Sequence, residues 1–356
     1  MFKKANILML VTLLVVMMST TAFSGDTKVN GRLYAHWMLD KTDGADNANE
    51  FGIGRAYVTV KSKLSDYTSL RITTDVKETE IDGKTRYDVI LKYGYFDWKP
   101  AFAKSALTVR FGLQPTPYID MMNKVWGRRY LEKTVIDLNK FLTSSDLGVG
   151  AYVGLGEKGK FGEAGLVVFN GTSYSNLGEE NKQKDFNFYT VLTPFVDNLD
   201  LKKSTIVGQY YYGFQNEMIP DSVEATDYKN QIFSVAGNLA YQQLFNLGGE
   251  LNFVTTGNGF GAEDTKATGF SFFGTLYLEQ LLVNSPAFRT LNLFGRIDLL
   301  DPDTDVDDNG ETLSIFGVEC APVKGFAASV NYRHLNFDDE NETAEKGLFF
   351  NTLFKF

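Results

Sequence analysis

The sequence predicts an all-β fold, a transmembrane antiparallel β-barrel of about 16 strands. Three observations lead to this prediction. Apolar and polar side chains alternate along many segments. The composition favours strands, with 29 Phe, 18 Tyr and 33 Gly but only 8 Pro. Short connections between these segments alternate along the chain with long, polar ones, as expected for strands that cross a membrane back and forth.

The N-terminal segment has the order of a secretory leader. Lys3 and Lys4 precede an apolar run over residues 7–18, which is followed by small residues and Ala22-Phe23-Ser24. The run is too short for a spanning helix, which needs about 20 residues. We therefore expect residues 1–24 to be a cleaved signal peptide and residues 25–356 to form the barrel.

The two-residue alternation is clear near the start of the expected barrel. Val29, Leu33 and Leu39 occupy odd positions, whereas Asn30 and Arg32 occupy even ones. One face of such a strand suits lipid and the other suits water. A soluble β-sandwich would alternate in the same way, so this pattern alone leaves that alternative open. The same alternation is found in residues 70–77, 107–114 and 291–299.

The last segment favours the barrel over the sandwich. Leu348, Phe350, Thr352, Phe354 and Phe356 occupy alternate positions, and the segment finishes on an aromatic residue. This segment resembles the terminal strand of outer-membrane proteins. The resemblance implies that the assembly machinery of the outer membrane recognises the strand through Phe356.

The turns between alternating runs divide the chain into strands of two directions. Short turns face the periplasm in barrels of this kind and long loops face outside. Both termini are then expected on the periplasmic side. The upward strands are predicted near residues 28–39, 68–77, 105–114, 163–170, 203–214, 246–256, 289–300 and 325–335. The downward strands are predicted near residues 51–63, 86–98, 147–156, 186–195, 230–242, 267–279, 312–321 and 347–356.

The net charge argues against a nucleic-acid partner, and the cysteine content excludes an intramolecular disulfide. The formal net charge is -9, so nucleic acid is not an expected partner. The single cysteine, Cys320, leaves no partner for an intramolecular disulfide. A closed ladder of strands would supply the stability instead.

The longest connection, residues 115–146, is rich in cations and lies between the fifth and sixth predicted strands. It resembles the third loop of general diffusion porins in position and length, which implies a constriction loop folded into the lumen. A narrow pore focuses the field of its charges, so cations there would favour anions. The predicted selectivity residues are Lys124, Arg128, Arg129 and Lys133 in this loop and Arg110, Arg71, Arg296 and Arg333 on the wall. Arg32, which is also in the lumen phase of its strand, could extend the positive strip along the wall.

An alternative role for these cations is pairing with nearby carboxylates. The acids that could neutralise them are Asp75, Asp120, Glu132, Asp137, Glu250 and Asp298.

The segment Arg110-Phe111-Gly112-Leu113-Gln114-Pro115-Thr116-Pro117 resembles the strand end before the third loop in the phosphate-selective porin O and P family. More broadly, the layout resembles the sixteen-stranded trimeric porins of Gram-negative bacteria. The resemblance implies a homotrimer among membrane lipids and lipopolysaccharide that passes small hydrophilic solutes or anions without a cofactor. It identifies no phosphate ligand in this chain.

The acidic segment at residues 305–310 has the spacing of the first half of a calcium loop, with oxygen ligands at Asp305, Asp307 and Asn309. The twelfth position is Phe316 rather than Glu, so the segment lacks the bidentate ligand of such loops. A solvated hairpin closed by Asn309-Gly310 is the alternative.

Two other classes of outer-membrane barrel remain open. An enzyme would need a nucleophile or a general base, and the two histidines, His36 and His334, stand in no recognisable catalytic motif. An adhesive or structural barrel would use the long acidic loops as its interface. Conductance in a planar bilayer separates these classes from a porin.

Overall fold

The computed structural model describes residues 26–45, 48–81, 83–103, 106–219, 223–281 and 290–356. Within these residues sixteen antiparallel strands form one closed barrel, in which each strand pairs with its neighbours in sequence. The predicted signal peptide, residues 1–24, lies outside the described residues. The strands are β1 Thr27–Asp40, β2 Asn49–Lys63, β3 Thr68–Ile81, β4 Lys84–Trp98, β5 Leu107–Pro115, β6 Ser145–Leu155, β7 Gly162–Phe169, β8 Asp185–Leu192, β9 Thr205–Phe214, β10 Lys229–Tyr241, β11 Phe245–Thr256, β12 Thr265–Tyr277, β13 Leu291–Asp301, β14 Glu311–Val323, β15 Phe326–Phe337 and β16 Glu345–Lys355.

The barrel closes between its first and last strands. β1 and β16 pair in an antiparallel register that runs from Arg32 opposite Lys355 to Asp40 opposite Gly347. Beyond this ladder, the Gly31 amide donates to the Phe356 carbonyl at 3.1 Å, and the Phe356 amide donates back to Gly31 at 3.2 Å. Closure removes the unpaired edge that an open sheet would expose.

The two faces of the wall have opposite chemistry. In β11, Leu247 and Phe253 are exposed on the outside, whereas Glu250 and Asn252 are buried inside the barrel. Directly opposed residues in neighbouring strands share a face, so this assignment extends around the barrel through the register. The alternation and the strand count predicted from the sequence are confirmed.

The β3–β4 hairpin differs from the prediction of a long outer connection. Strand β3 runs to Ile81 and β4 begins at Lys84, so only residues 82–83 join them. Gly83 has φ 68°, a conformation that glycine adopts without strain and that suits a tight hairpin. The polar run Glu78-Thr79-Glu80 belongs to β3 rather than to a loop, because strands can extend past the lipid and then carry polar side chains on both faces.

The helical segments are short. They are α1 Pro117–Trp126, α2 Val135–Leu138 and α3 Leu278–Leu281, with 3-10 turns at Ala101–Ala103, Glu157–Gly159 and Ala225–Tyr228. Within the described residues no helix has the length and apolar character needed to cross a membrane.

Replacing Phe253 by Arg tests the outward assignment. Phe253 is 47% exposed on the outer face. In a lipid bilayer, the Phe253→Arg variant is expected to lower the free energy of unfolding by about 2–4 kcal/mol, because the guanidinium would lie in hydrocarbon. Guanidinium chloride unfolding in phospholipid vesicles measures the change. The control is Asn30→Arg on the inner face of β1, and equal losses in the two variants would contradict the assignment.

Candidate functional site

The β5–β6 connection, residues 116–144, packs against inward-facing apolar residues of the opposite wall. Tyr118, Ile119, Met122 and Trp126 of the connection are buried in one cluster with inward residues of β9 to β14. Trp126 lies edge-on to Phe273 of β12, with ring centroids 5.3 Å apart. The wall residues of this cluster include Val207, Ile232, Val254, Ala267, Phe273, Phe294 and Ile315.

The local sequence explains how α1 begins and ends. Pro117 occupies the first helical turn, where its missing N–H costs no hydrogen bond. Gly127 ends the helix with φ 73°, and its amide donates to the Asn123 carbonyl at 3.1 Å. The chain can therefore turn sharply and bring Arg128 to the wall.

Glu250 of β11 binds both helices of the connection. The Tyr118 hydroxyl donates to its carboxylate at 3.4 Å, and the Val135 amide donates at 3.0 Å. The Glu250 side chain is buried, so these bonds partly replace the water that the carboxylate has lost. Glu250 therefore fixes the two helices at one point of the inner wall.

Glu319 of β14 binds the turn that follows α1. Its carboxylate accepts from the Arg128 guanidinium at 3.0 Å and from the Tyr130 hydroxyl at 2.6 Å. Arg128 also donates to the Thr275 hydroxyl at 2.6 Å, and its side chain is only 6% exposed. A buried pair of this kind is costly to break from one side, because the other charge is left without a partner.

In two further contacts the arginine lies on the wall and its partner lies on the connection. Arg333 of β15 pairs with Glu132 at 2.9 Å. Arg296 of β13 donates to the Lys133 carbonyl at 2.6 Å and pairs with Asp298. Arg128, Arg296 and Arg333, all predicted as selectivity residues, are thus neutralised by carboxylates and hold the connection in place.

The other two predicted wall residues lie on the opposite side of the barrel. Arg110 of β5 makes two hydrogen bonds to Asp97, at 2.7 and 3.0 Å. Its guanidinium lies over the Tyr95 ring, 4.0 Å from the centroid. Arg71 of β3 lies over the Tyr93 ring at 4.4 Å and has no ion pair among the described residues. Only Arg71 of this pair keeps a free positive charge.

The remaining predicted cations lie on the connection itself. Lys124 pairs with Asp120 at 2.7 Å and is 65% exposed, so water screens this pair. Arg129 pairs with Asp137 at 3.5 Å. Burial lowers the pKa of Lys133 from its ordinary value, Asp137 opposes this effect, and the nearby Arg129 guanidinium adds to it.

A strip of four cations crosses the inner wall on β16, β1, β2 and β3. Arg32 lies directly opposite Lys355, and Lys61 lies directly opposite Arg71. Like charges in directly opposed positions destabilise a sheet. None of the four has a carboxylate within ion-pair distance among the described residues. Asp120 of the connection lies close enough to attract Lys61 electrostatically, and its partner Lys124 lies close enough to repel it. We call Arg32, Lys61, Arg71 and Lys355 the cation strip.

Sequence reasoning missed half of the cation strip. Lys61 and Lys355 lie on downward strands and are not among the predicted selectivity residues. The same alternation identifies them, since Val60 and Phe354 beside them face outward. The strand register, which the sequence does not give, then brings the four cations together.

The acidic segment at residues 305–310 forms no cluster of metal ligands. The Asp305 carboxylate pairs with Lys266 at 3.2 Å, and the Asn309 amide donates to the Asp303 carbonyl at 2.9 Å. Within the described residues no group of three or more His, Cys, Asp or Glu side chains could hold a metal ion. The arrangement corresponds to the hairpin alternative.

A closed sixteen-stranded barrel with a charged inner wall is the architecture of outer-membrane porins. No protein-family model and no curated protein matches the chain. Solved structures do match it, at sequence identities that establish the fold alone.

Three of these structures illustrate the likeness. The trimer form of OmpT, an outer-membrane protein of Vibrio cholerae, has a TM-score of 0.59 and 12% identity and covers 93% of this chain and 99% of its own. An anion-selective porin from Comamonas acidovorans has a TM-score of 0.62 and 10% identity, and the match covers 94% of this chain and 100% of the porin. The outer-membrane channel DcaP of Acinetobacter baumannii has a TM-score of 0.64 and 8% identity, and the match covers 95% of this chain and 99% of DcaP.

Replacing Arg128 by Ala tests the anchoring role. The variant leaves Glu319 buried without its cation, so the local opening free energy of α1 is expected to fall by about 3 kcal/mol. Hydrogen–deuterium exchange of residues 117–126 measures the loss of protection. Lys124→Ala is the control, because its pair is exposed and contributes at most about 1 kcal/mol. Unchanged exchange in Arg128→Ala would show that the pair does not hold the connection.

Proposed function

We propose that this protein is an outer-membrane porin, a water-filled channel for passive diffusion of small hydrophilic solutes, with a preference for anions. The observation that carries the proposal is the cation strip on the inner wall of a closed sixteen-stranded barrel. Barrels of 16 to 18 strands are wide enough for an aqueous channel. The strip supplies a positive charge, because none of its four cations forms an ion pair with a carboxylate among the described residues.

The β5–β6 connection supports the second part of the proposal, a narrowed pore. It contacts inward side chains of β9 to β15, and its Tyr130 ring lies 6.4 Å from the Tyr34 ring of β1. Its Asp120 and Lys124 lie close enough to Lys61 of the cation strip to interact with it electrostatically. We propose that it folds into the lumen and confines the aqueous path between itself and the wall of β16 to β5. A narrow path with low-dielectric walls strengthens the field that a passing ion meets.

The same proposal places the barrel in the outer membrane of a Gram-negative bacterium, among membrane lipids and lipopolysaccharide. The exposed apolar residues of the outer wall suit hydrocarbon. Export would use the signal peptide at residues 1–24, and the assembly machinery would bind the terminal strand through Phe356. We also propose a homotrimer, which the trimer form of the similar OmpT supports.

We propose no catalytic role. His36 lies on the inner face of β1, whereas His334 lies on the outer face of β15, opposite Ser314. The two histidines therefore cannot act in one site. Among the described residues neither histidine has a hydrogen bond to an acidic side chain, and Nε2 of His334 has no hydrogen-bond partner.

Neutralising the cation strip tests the proposed selectivity. The triple variant Arg32→Gln, Lys61→Gln, Arg71→Gln is expected to lose most of the anion preference and to keep an open channel. The reversal potential across a tenfold salt gradient measures the preference, and it should move by roughly 10–30 mV toward the cation side. Lys355 is left unchanged because it precedes the terminal Phe356.

The matched control removes three cations from the periplasmic turns, in the variant Lys158→Gln, Lys160→Gln, Lys202→Gln. Its reversal potential should equal that of the parent protein. A cation-preferring parent, or a strip variant with unaltered selectivity, would overturn the proposed role of the strip. A barrel that opens no channel at all would favour an adhesive or structural function.

A further inference from the structure

A cavity of about 620 Å³ lies beside the β5–β6 connection, between α2 and the inner wall of β13 to β16 and β1. Its volume is within the range of sites for small organic ligands. The cation strip does not line it. The cavity is therefore separate from the cation strip and is lined by different side chains.

The floor of this cavity is apolar, although it faces the inside of the barrel. Met38, Leu300, Leu313, Leu335 and Phe349 all line it, and all lie in the inward phase of their strands. Inward positions in an aqueous barrel are usually polar. The five side chains are only partly buried, so the connection does not cover them as it covers the wall of β9 to β12. An apolar patch left open in this way is typical of a binding surface.

The rim of the cavity carries uncompensated negative charge. Glu311 lies directly opposite Leu300, and Glu345 lies directly opposite Leu335, so each carboxylate adjoins a residue of the floor. Asp40 completes the rim. Among the described residues none of these three carboxylates has an ion pair, and Glu311 is near enough to Glu345 for the two to repel each other.

The two cations that line the cavity are already paired. Arg333 binds Glu132 at 2.9 Å, and Lys346 binds Asp43 at 2.7 Å. The cavity thus combines an apolar floor with an excess of carboxylate at its edge. This combination suits a ligand that has an apolar body and one positive charge.

We propose that this cavity is a binding site for amphipathic organic monocations, such as amines with an aromatic or branched aliphatic body. The body lies on the leucines and Phe349, and the ammonium group lies between Glu311 and Glu345. The ligand relieves the repulsion between these carboxylates and removes the apolar floor from water. The inference goes beyond the proposed function, because binding here requires no conduction.

The probe is 2-phenylethylammonium, titrated by isothermal calorimetry into the full chain in lipid nanodiscs. Binding is expected to weaken about tenfold in Glu311→Gln, Glu345→Gln and to a similar degree in Leu313→Asn, Leu335→Asn. The matched control, Glu180→Gln, Glu217→Gln, removes two acids from other outer connections and should bind as the parent does. The neutral 2-phenylethanol, the anionic 3-phenylpropionate and methylammonium should each bind at least about tenfold more weakly.

Equal binding by the parent and both cavity variants would overturn the inference, as would equal binding of the alcohol or of the anion. Conductance of the same proteins in planar bilayers separates this result from the proposed function. A conducting, anion-preferring channel that does not bind the amine refutes the cavity site alone. A silent barrel that binds the amine refutes the channel alone.

Discussion

Backbone hydrogen bonding in hydrocarbon is the constraint on which this structure depends. Each amide and carbonyl that crosses the membrane must find a partner, and a closed antiparallel ladder provides one for every strand. Closure between β1 and β16 meets this condition. It also forces successive side chains to face lipid and lumen in turn, so one geometric requirement sets both the outer surface and the chemistry of the interior.

Two parts of the inner wall have different roles. The wall of β9 to β15 holds the β5–β6 connection through an apolar cluster and through buried charges such as Glu250 and Glu319. The wall of β16 to β3 presents cations that remain unpaired among the described residues. Because Arg296 and Arg333 of the first wall are held in structural ion pairs, the proposed selectivity depends on the second wall.

The sequence predicted the strands well because a two-residue period is a local property, visible without knowledge of the partner strand. It could not predict which cations stay free, since pairing depends on the register and on where the connection packs. Arg128 and Arg333 were expected in the aqueous path and instead bind Glu319 and Glu132. Inward Ile232, unusual for a polar lumen, was an available sign that the connection packs there.

Spin labels placed one at a time along β3 test the central claim most directly. With Cys320 replaced by Ser, labels at residues 70, 72 and 74 should meet oxygen dissolved in lipid, and labels at 69, 71 and 73 should meet a water-soluble nickel chelate. Strict alternation between the two reagents is the result that a closed, lipid-embedded barrel with a wet interior predicts. Equal access of the nickel chelate to both sets would contradict it.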